Sequence, residues 1–189
     1  MRYYTERILR TPDGAALWYS ITGEGDTTLV FNDGLGCDGF AWKHLCRLLG
    51  DSHRMIRWHY RGHGRSGLPQ DTRRIGLDYF AEDLELVLQH AGVERGVFIG
   101  HSMGVQVGFE FYKRHPERVQ ALIPICGSYG RLLDTFHGSD SAAKVFPYVQ
   151  ALVERFPDVA RSLTRTLLPT ELSFQVAKIV EVNRYLIRR

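Results

Sequence analysis

The sequence lacks the features that mark several large classes of protein. No uninterrupted apolar stretch approaches the length of a bilayer-spanning helix, and the first residues are charged, so we expect neither a membrane span nor a signal peptide. Its three cysteines, Cys37, Cys46 and Cys126, form no metal-ligand spacing, and their odd number argues against a disulfide framework. These absences predict a cytoplasmic protein whose cysteines are small buried residues.

The chain also lacks a concentrated charge of either sign. Its 24 Lys and Arg residues stand against 21 Asp and Glu, which gives a formal net charge of +3, and the basic residues form no run. A nucleic-acid or anionic membrane surface requires a basic patch. We therefore expect neither nucleic acid nor a membrane as a partner.

Strand-like and helix-like segments alternate through the first two thirds of the chain. Segments 2–10 and 15–22 are rich in Tyr, Ile, Leu and Trp and flank Pro12-Asp13-Gly14, which predicts an antiparallel hairpin. Further strands are expected at 28–31, 53–59, 97–99 and 119–126, and helices at 40–49, 77–91 and 105–115. Such alternation predicts an α/β fold with a mostly parallel sheet and helices on both faces.

Individual residues predict the ends of one helix and the position of one strand in the sheet. Asp78 is the candidate N-cap of the helix at 77–91, and Gly92 is its natural C-terminal stop. Pro124 lies inside the last strand, where it cannot donate to a ladder of hydrogen bonds. We therefore expect that strand to lie at a sheet edge.

The character of the sequence changes after Gly127. No further β-branched strand follows, and segments 142–156, 159–168 and 171–187 have helical patterns. A chain of 189 residues suits one substantial core. We predict a core through the sixth strand at 1–130 and a helical cap or lid at 131–189.

The stretch Gly100-His101-Ser102-Met103-Gly104 places a serine between a predicted strand and a predicted helix. G-x-S-x-G at such a junction is the pattern of a nucleophile elbow. The glycines are needed because so tight a turn leaves no room for a Cβ atom, and the serine hydroxyl is left exposed above the sheet. The pentapeptide alone is common by chance, whereas its position between strand and helix is specific.

Three motifs in this order make the chain resemble the α/β-hydrolase fold family over essentially its whole length. They are Asp33-Gly34-Leu35-Gly36 after the third strand, Arg61-Gly62-His63-Gly64-Arg65-Ser66 after the fourth, and the elbow after the fifth. The family usually has His where this chain has Asp33, and Asp where this chain has His59. Both departures leave the glycines intact.

Transferred residue by residue, the resemblance makes Ser102 the nucleophile and the backbone N–H groups of Leu35 and Met103 the oxyanion hole. The glycines that support these motifs are Gly34, Gly100 and Gly104. The resemblance implies a hydrolase that attacks a small-molecule ester, thioester or lactone through an acyl-enzyme, without a cofactor or a metal. The aspartate nucleophile that a dehalogenase would need is absent from this position.

A serine nucleophile needs a histidine base and a carboxylate, and in this family both usually follow strands seven and eight. The sequence shows neither strand. Beyond Ser102 the only histidines are His115 and His137, so His137 is the alternative base, with Asp134 or Asp140 as the nearest carboxylates. We interpret the chain as the N-terminal portion of a hydrolase with most of its cap.

Two alternatives stay open at this point. The chain is a non-catalytic, truncated hydrolase-fold binding module, or it is one half of a split enzyme. In either case we expect self-association or a companion chain to cover the open edge of the sheet, because an unpaired edge with apolar faces is prone to association.

Overall fold

The computed structural model describes residues 4–128 and seven single positions beyond them, 148, 151, 155, 156, 158, 159 and 162. The chain divides into two compact units, Met1–Arg131 and Leu132–Arg189. His137 lies outside the described residues, as do the predicted helices at 142–156, 159–168 and 171–187 except at these single positions. The assignment of 1–130 to a hydrolase core and of 131–189 to a cap stays a prediction.

Six strands and three α-helices make up the described part of the first unit. In chain order they are β1 (Tyr4–Arg10), β2 (Ala16–Thr22), β3 (Thr28–Asn32), α1 (Lys43–Leu49), β4 (Arg54–Trp58), α2 (Leu77–His90), β5 (Gly96–His101), α3 (Met103–Arg114) and β6 (Val119–Ile125). Short 3-10 turns at Phe40–Trp42 and Pro116–Arg118 precede α1 and β6. Every strand and helix predicted for this part of the chain is present.

The strands form one sheet in the order β1-β2-β4-β3-β5-β6. β2 pairs antiparallel with β1 and with β4, whereas the β3–β4, β3–β5 and β5–β6 pairs are parallel. The mostly parallel sheet predicted from the sequence is therefore confirmed. Its order brings the carboxyl ends of β3, β4 and β5 to the same edge, where open α/β sheets bind their ligands.

Apolar clusters cover both faces of the sheet because successive strand residues point to opposite sides. Val30 joins Phe98 and the buried residues of α2 and α3 in the larger cluster. Its neighbours Leu29 and Phe31 join the smaller cluster, against which α1 packs. Helices thus lie on both faces, as the alternation of segments predicts.

β6 is the last strand in the sheet order of the described residues. The Ile125 carbonyl accepts the Ser102 N–H at 3.0 Å, so Ile125 faces β5 and the adjacent Pro124 faces the outer edge. The missing N–H of Pro124 therefore removes no bond from the sheet, and the edge position predicted for this strand is confirmed within the part of the chain that the structure describes. Ile123 in the same strand is 45% exposed.

One predicted helix signal is wrong. The N-cap of α2 is Gly76, whose carbonyl accepts the Phe80 N–H at 2.9 Å, and Asp78 lies inside the first turn. There its negative charge interacts favourably with the partial positive charge at the start of the helix, and its carboxylate accepts a hydrogen bond from Arg114 at 2.8 Å. Gly92 at the other end has φ +64°, the left-handed conformation expected of a helix stop.

The burial predicted for the cysteines is also wrong. Cys37 and Cys46 are half-buried, and Cys126 is exposed because it follows the edge strand β6. Among the residues that the structure describes, no helix is both long enough and apolar enough to cross a membrane.

Arg61 anchors the glycine-rich loop after β4. Its guanidinium donates to both carboxylate oxygens of Asp83, at 2.7 and 2.6 Å, and to Asp13 at 2.8 Å. Arg61 is 2% exposed and Asp83 in α2 is fully buried. The loop is therefore attached to α2 and to the β1–β2 turn through charges that have little access to water.

The junction of β5 and α3 packs directly on the end of β3. A Cβ atom on Gly104 would lie 2.6 Å from the carbonyl carbon of Asn32, and one on Gly100 would lie 2.5 Å from the Gly104 oxygen. Both neighbours are backbone atoms, which cannot rotate away. Gly108, one turn further along α3, would meet only side chains at ordinary contact distances, those of Leu122 at 3.5 Å and Asn32 at 3.8 Å.

Removing the buried cation tests the anchor of the glycine-rich loop. Because Arg61→Met leaves Asp83 buried without its partner, we expect it to lower the free energy of unfolding by about 3–5 kcal/mol. Arg73→Met is the matched control, since Arg73 pairs with Asp71 on an exposed surface and its loss should change little. Chemical denaturation of both variants makes the comparison, and an equal loss of stability in the two would contradict it.

The glycine contacts predict opposite effects at two positions of one helix. Gly104→Ala forces a side chain into the backbone of β3, and we expect a loss of about 3 kcal/mol. Gly108→Ala gains helix propensity without a clash, so we expect up to about 1 kcal/mol of stabilisation. In thermal unfolding, each kcal/mol corresponds to about 2–4 °C for a chain of this size. Similar shifts in the same direction would show that the junction is not tightly packed.

Candidate active site

Ser102 occupies the sharp turn between β5 and α3. Its backbone has φ +52° and ψ −116°, and among the described residues Cys126 is the only other non-glycine with a positive φ. Such a conformation costs on the order of 1–3 kcal/mol and persists only where the surroundings enforce it. Two hydrogen bonds do so here: Ser102 N–H donates to Ile125 at 3.0 Å, and Val105 N–H donates to the Ser102 carbonyl at 3.1 Å.

The hydroxyl of Ser102 has no hydrogen-bond partner within residues 4–128 or at the seven further described positions. No described histidine is bonded to it. The alternative base His137 falls outside these residues. The described part of the chain thus contains the predicted nucleophile without a base bonded to it.

The loop after β3 lies against this turn. A Cβ atom on Gly34 would be 3.3 Å from Ser102 Cβ and 3.0 Å from the His101 Nδ1 atom. Cys37 N–H donates to the Gly34 carbonyl at 3.1 Å and closes a tight turn around Leu35. The structure therefore brings together the glycine of the first motif and the serine of the third. The Leu35 side chain is 73% exposed, so it takes no part in holding the loop.

Met103 is the first residue of α3. The N–H groups in the first turn of a helix have no partner inside the helix, and the helix dipole places partial positive charge there. The side chain of Met103 packs against the larger apolar cluster. At Met103 the candidate donor to a ligand beside Ser102 is therefore the backbone N–H and not the side chain.

Asp33, in the loop that meets Ser102, is a buried carboxylate that the sequence did not single out as a candidate site residue. It is 3% exposed, and its Oδ1 atom accepts the indole N–H of Trp42 at 2.6 Å. Burial raises the pKa of its carboxyl to about 6, against the opposing effect of the Trp42 and Gly39 N–H groups. The sequence offered one signal for this residue, since an aspartate stands where the family usually has a histidine. The hydrogen bond from Trp42 could not be predicted from the sequence.

His59 is buried beside the same loop without a contact to Ser102. Its Nδ1 atom accepts the Arg65 N–H at 2.9 Å, and its ring lies against Trp18 with centroids 4.3 Å apart. Burial lowers the pKa of its imidazole. These contacts give His59 a structural role in joining β4 to the glycine-rich loop.

His101 is the second residue that the sequence analysis undervalued. Its Nδ1 atom is buried without a hydrogen-bond partner among the described residues and faces Gly34, and its ring meets Trp42 edge to face with centroids 6.3 Å apart. It therefore forms part of the contact between the elbow and the loop after β3. In the described part of the chain, no group of three or more His, Cys, Asp or Glu residues is arranged to hold a metal ion.

Comparisons with known proteins agree with this geometry. A family model described as the alpha/beta hydrolase fold matches residues 27–182. The pimeloyl-[acyl-carrier protein] methyl ester esterase of Yersinia enterocolitica is 31% identical over 171 residues, which cover 87% of this chain and 62% of that protein. The uncharacterized hydrolase YraK of Bacillus subtilis is 27% identical over 67% of this chain and 45% of its own.

Solved structures share the fold. A carboxylesterase structure from the thaumarchaeon Nitrososphaera gargenis has a TM-score of 0.60 and 28% identity, covering 65% of this chain and 46% of that one. The chain spans between 40% and 62% of the length of the curated relatives that it matches. These relatives are named mainly as hydrolases and esterases. Because the family model covers more than half of it, the chain belongs to the α/β-hydrolase fold family.

Proposed function

We propose that this protein is a serine hydrolase that cleaves a small ester, thioester or lactone through an acyl-enzyme on Ser102. The observation that carries the proposal is the backbone of Ser102, held at φ +52° between β5 and α3. A serine in this conformation presents its hydroxyl above the sheet, where a substrate can reach it. The hydrolases and esterases among the relatives support the same class of reaction.

The first chemical step forms a bond between Ser102 Oγ and the carbonyl carbon of the substrate. The Oγ proton passes to a general base, and the carbonyl oxygen takes up the negative charge. Collapse of this intermediate breaks the bond to the leaving alcohol or thiol, which receives the proton, and leaves the acyl group on Ser102. Water then attacks the acyl-enzyme in the same manner and releases the acid.

The negative oxygen requires two fixed donors, and we propose the amides of Met103 and Leu35. The Met103 amide opens α3 beside Ser102, and the Leu35 amide belongs to the turn closed by Cys37 and Gly34. Removing one such donor in a serine hydrolase lowers kcat by about 100- to 1,000-fold. Because both donors are backbone groups, substitutions of their side chains should affect the shape of the pocket more than the chemistry.

The general base has to come from outside residues 4–128 if it hydrogen-bonds to Ser102 in the resting protein. His137, with Asp134 or Asp140, stays the candidate within this sequence. We further propose a small-molecule substrate, no cofactor, no nucleic-acid or membrane partner, and a cytoplasmic location. The free thiols of Cys37, Cys46 and Cys126 are consistent with a reducing compartment.

A second candidate, one half of a split enzyme, has support from the edge of the sheet. β6 ends the strand order of the described residues, Ile123 on it is 45% exposed, and Tyr112 on the neighbouring α3 is 47% exposed. A companion chain or a second copy that adds to this edge would bury these side chains. Co-purification of a small companion chain with the native protein would favour this candidate.

Replacing the nucleophile tests the leading proposal. We expect Ser102→Ala to lower the turnover of p-nitrophenyl acetate and butyrate by the native protein at least about 1,000-fold, because no other group takes the acyl intermediate. Ser52→Ala, in an exposed turn after α1, is the matched control and should retain activity. Undiminished turnover by Ser102→Ala would refute the assignment, and a wild-type protein without turnover would favour the non-catalytic binding module.

A further inference from the structure

We propose that Asp33 is a positioning residue whose carboxylate fixes the loop after β3, so that the Leu35 amide is directed at the carbonyl oxygen of a substrate bound at Ser102. This inference rests on the proposed function and adds to it a residue that acts through the loop rather than on the substrate. Its basis is the set of contacts that Asp33 makes across the loop 33–42 and the contact of that loop with the elbow.

The Asp33 side chain spans the loop from one end to the other. Its Oδ1 atom accepts the indole N–H of Trp42, nine residues later, at 2.6 Å. The backbone N–H of Gly39 lowers the pKa of the same carboxyl and so favours its charged form. Trp42 is itself 3% exposed, with its ring 5.0 Å from that of Phe31, so the far end of this link is fixed in the core.

The near end of the loop is fixed as firmly. The Asp33 carbonyl accepts the Tyr60 hydroxyl at 2.7 Å, and Tyr60 is 1% exposed. Two backbone bonds within the loop, Cys37 to Gly34 and Trp42 to Gly39, set its internal turns. The stretch from Gly34 to Asp38 lies between these two fixed ends, so the Asp33 link restricts its path.

This stretch is the one that meets the nucleophile. Gly34 approaches so closely that its Cβ would lie 3.3 Å from Ser102 Cβ. Leu35 follows directly, so a change in the path of the loop would change the direction of its amide. An oxyanion donor has to lie about 2.7–3.1 Å from the charged oxygen, and a misplacement of about 1 Å can slow a reaction 100-fold.

The chemistry of a carboxylate suits this role because it only accepts hydrogen bonds. The indole N–H of Trp42 donates to it, and the Gly39 N–H favours its charged form. An asparagine would keep one oxygen acceptor and place an NH₂ group where the second carboxylate oxygen lies. Burial disfavours the charged form of Asp33 and raises its pKa to about 6, which leaves the anion predominant at pH 7. A buried anion beside a developing negative charge has no electrostatic benefit for catalysis, so the benefit has to come from the geometry of the loop.

The test compares the rate of Ser102 labelling by a fluorophosphonate and the kcat and KM for p-nitrophenyl butyrate across four proteins. They are the wild type, Asp33→Asn, Trp42→Phe and the double variant. We expect each single substitution to lower the labelling rate and kcat about 10- to 100-fold with KM within about two-fold. The double variant should be no slower than the slower single one, because both substitutions disturb the same link between Asp33 and Trp42.

Asp38→Asn is the matched control, since it removes a carboxylate from an exposed position of the same loop and should leave kcat unchanged. Circular dichroism and thermal unfolding establish that each variant is folded at the assay temperature. Amide NMR of the Leu35 and Met103 resonances gives a readout apart from activity. We expect Asp33→Asn and Trp42→Phe to shift the Leu35 amide and to leave the Met103 amide nearly unmoved.

The outcomes separate this inference from the proposed function. If the wild type is labelled and both folded variants react at the wild-type rate, the positioning role is wrong and the nucleophile assignment stands. If Asp38→Asn slows the reaction as much as Asp33→Asn, a general effect of charge replaces positioning. A wild type that is neither labelled nor active overturns the proposed function and this inference with it. If Asp33→Asn does not fold, the labelling rate and kcat of Trp42→Phe, which keeps an aromatic ring, test the positioning role alone.

Discussion

The contact of α3 with the end of β3 is the constraint on which the site depends. At Gly104 the helix backbone comes so near to Asn32 that no side chain fits, and Gly100 approaches Gly104 in the same way. This approach forces the chain to reverse within one residue, and Ser102 takes up the strain as a positive φ. The same contact sets the first turn of α3 and the loop after β3 side by side. The candidate nucleophile and the candidate oxyanion donors are thus placed by one packing arrangement.

Charges hold the two loops that border this arrangement, and they do so in different ways. Arg61 anchors the loop after β4 with a buried ion pair to Asp83, where each charge satisfies the other. Asp33 has no cation bonded to its carboxylate among the described residues and accepts instead from the indole N–H of Trp42, while burial raises its pKa. The first arrangement suits a fixed framework. The second is expensive for stability, which is why we connect it with the site.

Local patterns predicted the elements of this chain well because the physics of each is local. The hairpin at 4–22, the helix stop at Gly92 and the elbow at 100–104 follow from glycine, proline and apolar spacing. Pro124 predicted an edge for the equally local reason that it lacks an N–H. The prediction of Asp78 as N-cap was wrong because Gly76 occupies the N-cap position of α2. An acidic residue in the first turn of a helix gives nearly the same sequence pattern as an acidic N-cap.

The contacts of the site were harder to predict because they join distant parts of the chain. Trp42 reaches Asp33 through a loop whose path no spacing rule describes, and Tyr60 reaches the same residue from another strand end. The His101 Nδ1 atom, which has no hydrogen-bond partner among the described residues, likewise faces Gly34 from a distant part of the chain. Local patterns predicted the candidate nucleophile and its glycines, whereas the contacts that surround them could be described only from the fold.

The most direct test of a nucleophilic Ser102 is the site of covalent modification. The native protein is treated with a fluorophosphonate, digested and mapped by mass spectrometry, beside a sample unfolded before treatment. The strained turn and its donors predict a single adduct on Ser102 in the folded protein and none in the unfolded one. An adduct on another residue, or equal modification after unfolding, would contradict the role that we assign to this serine.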